Sequence, residues 1–129
     1  MSTHGWTDGA DALAEDVLRV DVDHRPGCAV LRAEGEVDTL TGALFADRIA
    51  ETIDGAASGD LDAVVLDLSR IGFFGSPGIA GLVHARRVAR EHKLALRLVC
   101  HGGAVIMPLT VTGLIDQFDV YPDLAAAVA

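Results

Sequence analysis

The chain has 129 residues, half of them hydrophobic, and a formal net charge of −9 at pH 7. That length suits one domain with a real core, and the acidic balance argues against nucleic acid or an anionic membrane as a direct partner. No apolar run approaches the roughly 20 residues of a membrane span, and no basic and apolar leader of the secretory kind opens the chain, so a cytoplasmic protein is expected.

Residues 1–15 are small, polar and acidic. They are expected to form a flexible or loosely docked N-terminal extension, with a single folded domain over 16–129. From Val17 the sequence "VLRVDVD" alternates, with Leu18, Val20 and Val22 on one side, and predicts a half-buried strand. "HRPG" predicts a turn, and "CAVLRAEGEV" alternates again, which makes the pair a hairpin. "DTLTGALFADRIAETI" has helical spacing, with Phe45, Ile49 and Ile53 on one face and Asp47, Arg48 and Glu51 toward water. Asp38 or Thr39 is the expected cap of that helix, and "DGAASGD" the loop that ends it.

"AVVLDLS" is short and nearly continuous in apolar residues, as in a strand covered on both faces. "IGFFGSPGIAGL" then leads into a helix with Ile79, Leu82 and Val83 at helical spacing and with Arg86, Arg87, Arg90, His92 and Lys93 toward its end, where positive groups suit the helix dipole. "LALRLVC" predicts a strand, "GGAVIMPLTVTGL" a helix interrupted or tightened near Pro108 and stopped at Gly113, "QFDVY" a short strand and "PDLAAAVA" a final helix. The order β-β-α-β-α-β-α-β-α predicts a mixed, mainly parallel α/β sheet that opens with an antiparallel hairpin.

Ser76 sits where strand gives way to helix, and four roles are open to it. As a helix N-cap it would place Pro77 at the first helical position, where proline is favoured. As a nucleophile in a G-x-S-x-G elbow it fails. Phe74 replaces the first glycine, Pro77 lacks the N–H that an oxyanion hole needs, and no histidine follows Asp116. No enzymatic activity is expected. As part of a phosphate loop it is weak, since Gly75, Gly78 and Gly81 recur every third residue without a Walker lysine; a loose anion site at the helix start remains open. As a phosphorylation switch it would add nearly two negative charges at a helix N-terminus, gating a partner without refolding the domain.

No metal or cofactor is expected. The five histidines are scattered, and Cys28 and Cys100 lack close ligand spacing. The two thiols fall at opposite ends of strands two apart, beyond disulfide reach.

Three segments resemble the STAS domain family of anti-sigma factor antagonists. Gly35-Glu36-Val37-Asp38 resembles the family's G-E-x-D segment before its first helix. "AVVLDLSRIGFFGSPGIAGLVHARR" resembles the strand, the D-S-S/T-G turn and the following helix, and "LRLVCHGGAVIMPLTVTGLIDQFDVYPDLAAAV" resembles the family's C-terminal portion. The resemblance covers about residues 17–128. It implies a STAS fold, a sheet with helices in a β-α superhelix. It also implies a role in transcription regulation and stress response: binding a serine-kinase-type anti-sigma factor, which carries the ATP, with Ser76 as phosphoacceptor and a phosphatase reversing the step. The partner-binding residues it implies are Asp38, Thr39, Gly75, Ser76, Pro77 and Gly78. The motif departs from the family at two positions, with Gly75 in place of aspartate and Pro77 in place of serine or threonine. The alternative reading is a STAS scaffold without phosphorylation, or a module that senses a small anion or nucleotide.

Overall fold

The computed structural model describes residues 9–129. Five strands lie in sequence order across one sheet: β1 (Leu18–Arg25), β2 (Cys28–Val37), β3 (Ala63–Phe74), β4 (Ala95–Val99) and β5 (Asp119–Tyr121). β1 and β2 form the antiparallel hairpin, and each later strand is parallel to its predecessor. The helices are α1 (Gly9–Val17), α2 (Gly42–Ser58), α3 (Ser76–Glu91), α4 (Gly103–Val111) and α5 (Leu124–Val128), with a 3-10 turn at Ile115–Gln117. The mixed, mainly parallel architecture is the expected one.

Two clusters fill the two faces of the sheet. Ala29, Leu31, Val64, Leu66 and Leu98 pack with Phe45 and Ile49 of α2, Leu82 and Ala85 of α3, and Val105 and Leu109 of α4. The alternate strand residues Cys28, Val30, Ala63, Val65 and Val99 pack under Ala127 of α5. This is why "AVVL" is apolar without a break: successive side chains enter opposite cores. β1 is an edge strand, and its pattern of charged and apolar residues leaves it half-solvated.

Several boundaries differ from the sequence expectation. Residues 1–8 of the expected extension lie outside the described residues. The remainder of it belongs to α1, whose Ala14 is only 2% exposed, so Val17 closes a helix and the strand begins at Leu18. α2 starts later and ends later than expected, because residues 38–41 form a turn and "DGAAS" continues the helix to bury Ala56. β3 runs five residues past Ser69. Its alternation is broken by two irregularities, where Arg32 and Glu34 face Asp67 and Arg70, and where Gly35 and Glu36 face Ile71 and Phe73. Each inserts an extra β3 residue, so a period of two cannot be followed through them. The Asp67 carboxylate steadies the first by accepting from the Ser69 amide (3.1 Å) and hydroxyl (2.6 Å). Pro108 interrupts nothing: α4 continues through it.

Gly35 has φ +124, and a Cβ there would lie 2.0 Å from the Val17 carbonyl oxygen, so only glycine lets β2 pass beneath the end of α1. Gly78 faces a different limit. Its Cβ would meet the buried Phe74 ring at 2.5 Å. Gly78→Ala is therefore expected to destabilise the fold by about 1–3 kcal/mol through overpacking. Gly55→Ala, inside α2 with nothing within 4 Å of its added methyl, is expected to stabilise it by about 0.5–1 kcal/mol. Urea denaturation midpoints of the two variants check the opposite signs.

Candidate functional site

The parallel pairing of β2 and β3 brings two chain segments to one end of the sheet. The ladder closes with Val37 opposite Phe74, and the Gly75 amide donates to the Val37 carbonyl at 2.8 Å. The loop 38–41 leaves β2 at this point and the first turn of α3 leaves β3. Their contact is direct, because a Cβ on Gly42 would lie 2.7 Å from the Pro77 Cβ. The proline ring occupies the space that a side chain at 42 would need.

Asp38 does not cap α2. Its carboxylate accepts from the amides of Leu40 (2.9 Å) and Thr41 (3.1 Å), which folds the loop into a tight turn ahead of the helix. Thr41 is the N-cap residue, and its side chain makes no capping bond. The fully buried hydroxyl of Thr41 instead donates to the Glu36 carbonyl and accepts from the Asp38 amide, both at 2.8 Å. Thr39 is exposed at the tip of the turn, beside the 40% exposed Leu40. Residue type and spacing alone point to Asp38 or Thr39 as the cap, whereas the cap is Thr41. The spacing of an aspartate three residues before a threonine, at a strand end, was the available signal.

Ser76 is not the N-cap of α3 either. Gly75 has extended backbone (φ −88, ψ −174) and its carbonyl receives the first helical bonds, from Gly78 (2.9 Å) and Ile79 (3.2 Å). Ser76 is thus the first helical residue and Pro77 the second. The Ser76 side chain is exposed, and no hydrogen bond of its hydroxyl occurs among the described residues. The helix start is a poor ready-made anion cradle. Pro77 has no N–H, and the Gly78 and Ile79 amides are turned to Gly75.

Phe73, which the sequence reading assigned no role, is 52% exposed and stands beside this helix start. A Cβ at Gly75 would meet its ring at 3.2 Å and the Val37 carbonyl at 3.4 Å. An acidic side chain at 75 thus needs the ring to move by a few tenths of an ångström. Glycine at 75 goes with an aromatic ring folded over the turn.

The cysteines stand apart from this surface. Both are buried and free, Cys28 in the cluster beneath α5 and Cys100 in the cluster on the opposite face. Burial, and secondarily the Asp67 charge, pushes the Cys100 thiol up to about 11, so it is protonated at neutral pH and a weak nucleophile. Among the described residues no group of three or more His, Cys, Asp or Glu side chains is arranged to hold a metal ion.

Two measurements follow from these contacts. Thr41→Val leaves the Glu36 carbonyl and the Asp38 amide without their buried partner and is expected to destabilise by about 1–3 kcal/mol, while Thr41→Ser retains most of the stability; thermal or urea melts compare them. The folded state holds the Cys100 proton more tightly than the unfolded chain, whose thiols titrate near an ordinary pKa of about 8.5. Its contribution is constant below that pH and is lost as pH rises toward about 11. A Cys100→Ala variant, melted across that range, is expected to lose less stability with rising pH than the parent.

The STAS domain family model matches residues 19–127. The anti-sigma-F factor antagonist RsfB of Mycobacterium tuberculosis is 29% identical over 116 residues, spanning 89% of this chain and 90% of that protein. The crystal structure of an anti-sigma factor antagonist from Mycobacterium paratuberculosis superposes with a TM-score of 0.74 at 28% identity, covering 88% of this chain and 92% of that one. The Bacillus cell fate determinant SpoIIAA in its phosphorylated form shares the fold at 16% identity, with a TM-score of 0.62 over 84% of this chain and 96% of that one.

Proposed function

This chain belongs to the STAS domain family, and from that premise we propose that it is an anti-sigma factor antagonist, which binds an anti-sigma factor and so controls transcription dependent on the cognate sigma factor. The observation that carries this reading is the shared surface at the C-terminal ends of β2 and β3. There the Asp38 turn, Thr39 and the exposed Ser76 at the first position of α3 meet across the Gly42–Pro77 contact. Thr39, Gly75, Ser76, Pro77 and Gly78 line or shape that surface, and Phe73 and Leu40 supply apolar area at its rim.

The partner in this reading is of the serine-kinase type and brings its own ATP. The Ser76 hydroxyl attacks the γ-phosphorus, ADP leaves, a base on the partner takes the proton, and a phosphatase later removes the phosphate. The hydroxyl is exposed and has no hydrogen-bond partner among the described residues, which suits an acceptor. The phosphate would remain at the surface, since the helix start offers few amides to fold it in. That same scarcity is why the anion- or nucleotide-sensing alternative gains no support from this geometry. The protein itself acts by binding and performs no catalysis. Among the described residues no helix is long and apolar enough to cross a membrane, and the cytoplasm is the compartment this role requires.

The test is binding of the cognate anti-sigma factor, measured by calorimetry or biosensor. Ser76→Glu is expected to weaken binding at least tenfold through charge placed at the interface, and Ser76→Ala is expected to leave it nearly unchanged. Equal affinity of the Glu variant and the parent removes the switch. Mass spectrometry after incubation with the partner and ATP, expected to show one phosphate on Ser76 and none on Ser76→Ala, checks the kinase assignment separately.

A further inference from the structure

α2 and α3 lie side by side and parallel on the outer layer of the domain. Gly42 lies against Pro77 at their starts, and Ala46, Ala50 and Ile53 line one narrow cleft with Gly81, Ala85 and Val88. Their turns are therefore level along the whole length. The outward stripe of α2 is acidic, with Asp47, Glu51 and Asp54 all exposed. The outward stripe of α3 is mainly basic, with His84, Arg87 and Arg90 exposed around Val83, which is 44% exposed, and with one carboxylate, Glu91, at its C-terminal end. Among the described residues none of these carboxylates or arginines forms an ion pair; the three pairs found all lie on β1 and β2. Arg86 is tied to the Gln117 carbonyl at 2.9 Å, and the Arg87 guanidinium meets His84 Nδ1 at 2.8 Å within the stripe.

We propose that this helix layer is an isologous docking surface for a second copy of the chain. Two arrangements put the layer of one copy face to face on the layer of another. A two-fold axis across the helices lays α2 on α2 and α3 on α3, acid against acid and base against base. A two-fold axis along the helices lays α2 of each copy on α3 of the other. Only the second matches charge, and it also preserves height along the helix. Asp47 of one copy then falls at the level of Val83 and His84 of the other, Glu51 at Arg87 and Asp54 at Arg90, and each pair occurs twice. The small side chains of Ala43, Ala46 and Ala50 on α2 admit Val83 between the charged rows.

The pairing of an acidic stripe with a basic one favours this occupant over a uniformly acidic one, because a second copy offers both complementary charges at once. The chain carries −9 overall, so two copies repel at long range and associate only in an orientation that pairs these stripes. Two helices of about 24 Å, set about 10 Å apart, offer on the order of 1,000 Å² in total to such a contact, the low end for specific interfaces. The dimer is accordingly weak and salt-sensitive. The surface runs along the helices, whereas the surface proposed for the anti-sigma factor lies at their N-terminal ends, so the two proposals stand or fall separately.

Sedimentation velocity of the full chain over a concentration series tests it. Reversible dimerisation that weakens between low and high salt is expected. Glu51→Arg alone and Arg87→Glu alone are each expected to weaken it about tenfold or more. An equimolar mixture of the two single variants is expected to restore it, because each reversed charge then faces its opposite on the other copy, as is the double variant. Both positions are exposed, so folding is not at risk, and circular dichroism confirms it. A chain that stays monomeric at every concentration, a dimer indifferent to both reversals, or a mixture that fails to recover each overturns the proposal.

Discussion

Everything at the candidate site depends on one backbone bond, from the Gly75 amide to the Val37 carbonyl. It is the last rung of the β2–β3 pairing, and it holds together the two points at which the chain leaves the sheet. Above it the Asp38 turn and the first turn of α3 have no freedom to separate. Pro77 fills the space beside Gly42, and the buried Thr41 hydroxyl ties the turn back to Glu36. Residues separated by 38 positions in sequence, Val37 and Gly75, thus anchor one rigid surface. A partner meets a preformed site, and little ordering entropy is charged against its binding.

Much of this was legible in the sequence. The alternation of β1 and β2, the double-faced apolar run of β3 and the helical spacing of Phe45, Ile49 and Ile53 each follow from a period that the backbone imposes. What was not legible lies where the period fails. β3 continues past Ser69, with one extra residue between Asp67 and Arg70 and a second between Ile71 and Phe73, and no sequence period survives a bulge. The caps depart from the sequence expectation for a related reason. Asp38 and Ser76 are good capping residues by type, but tertiary bonds had first claim on their surroundings. The Gly75 amide was already committed to Val37, which made Gly75 the cap and moved Ser76 inside the helix. The Asp38 carboxylate was committed to closing its own turn.

The two departures at 75 and 77 acquire physical partners in the structure. Gly75 leaves room for the exposed Phe73 ring, and Pro77 fits because position 42 is glycine. Each odd residue is matched by a neighbour that suits it, so the pair of changes reads as a consistent local design in which shape replaces a carboxylate and a hydroxyl. The cost falls on the helix N-terminus, which has fewer free amides to offer a negative group than an ordinary helix start.

The edge strand β1 has a further consequence, for solubility. Among the described residues no strand pairs with its outer side over its eight residues, and such an edge invites another strand. Its charges answer that risk. Antiparallel self-pairing centred on Val22 sets Arg19 against Arg25 and Asp21 against Asp23, and parallel in-register stacking sets every charge against its like. The same residues that make a half-solvated hairpin therefore weigh against edge-to-edge pairing in those registers.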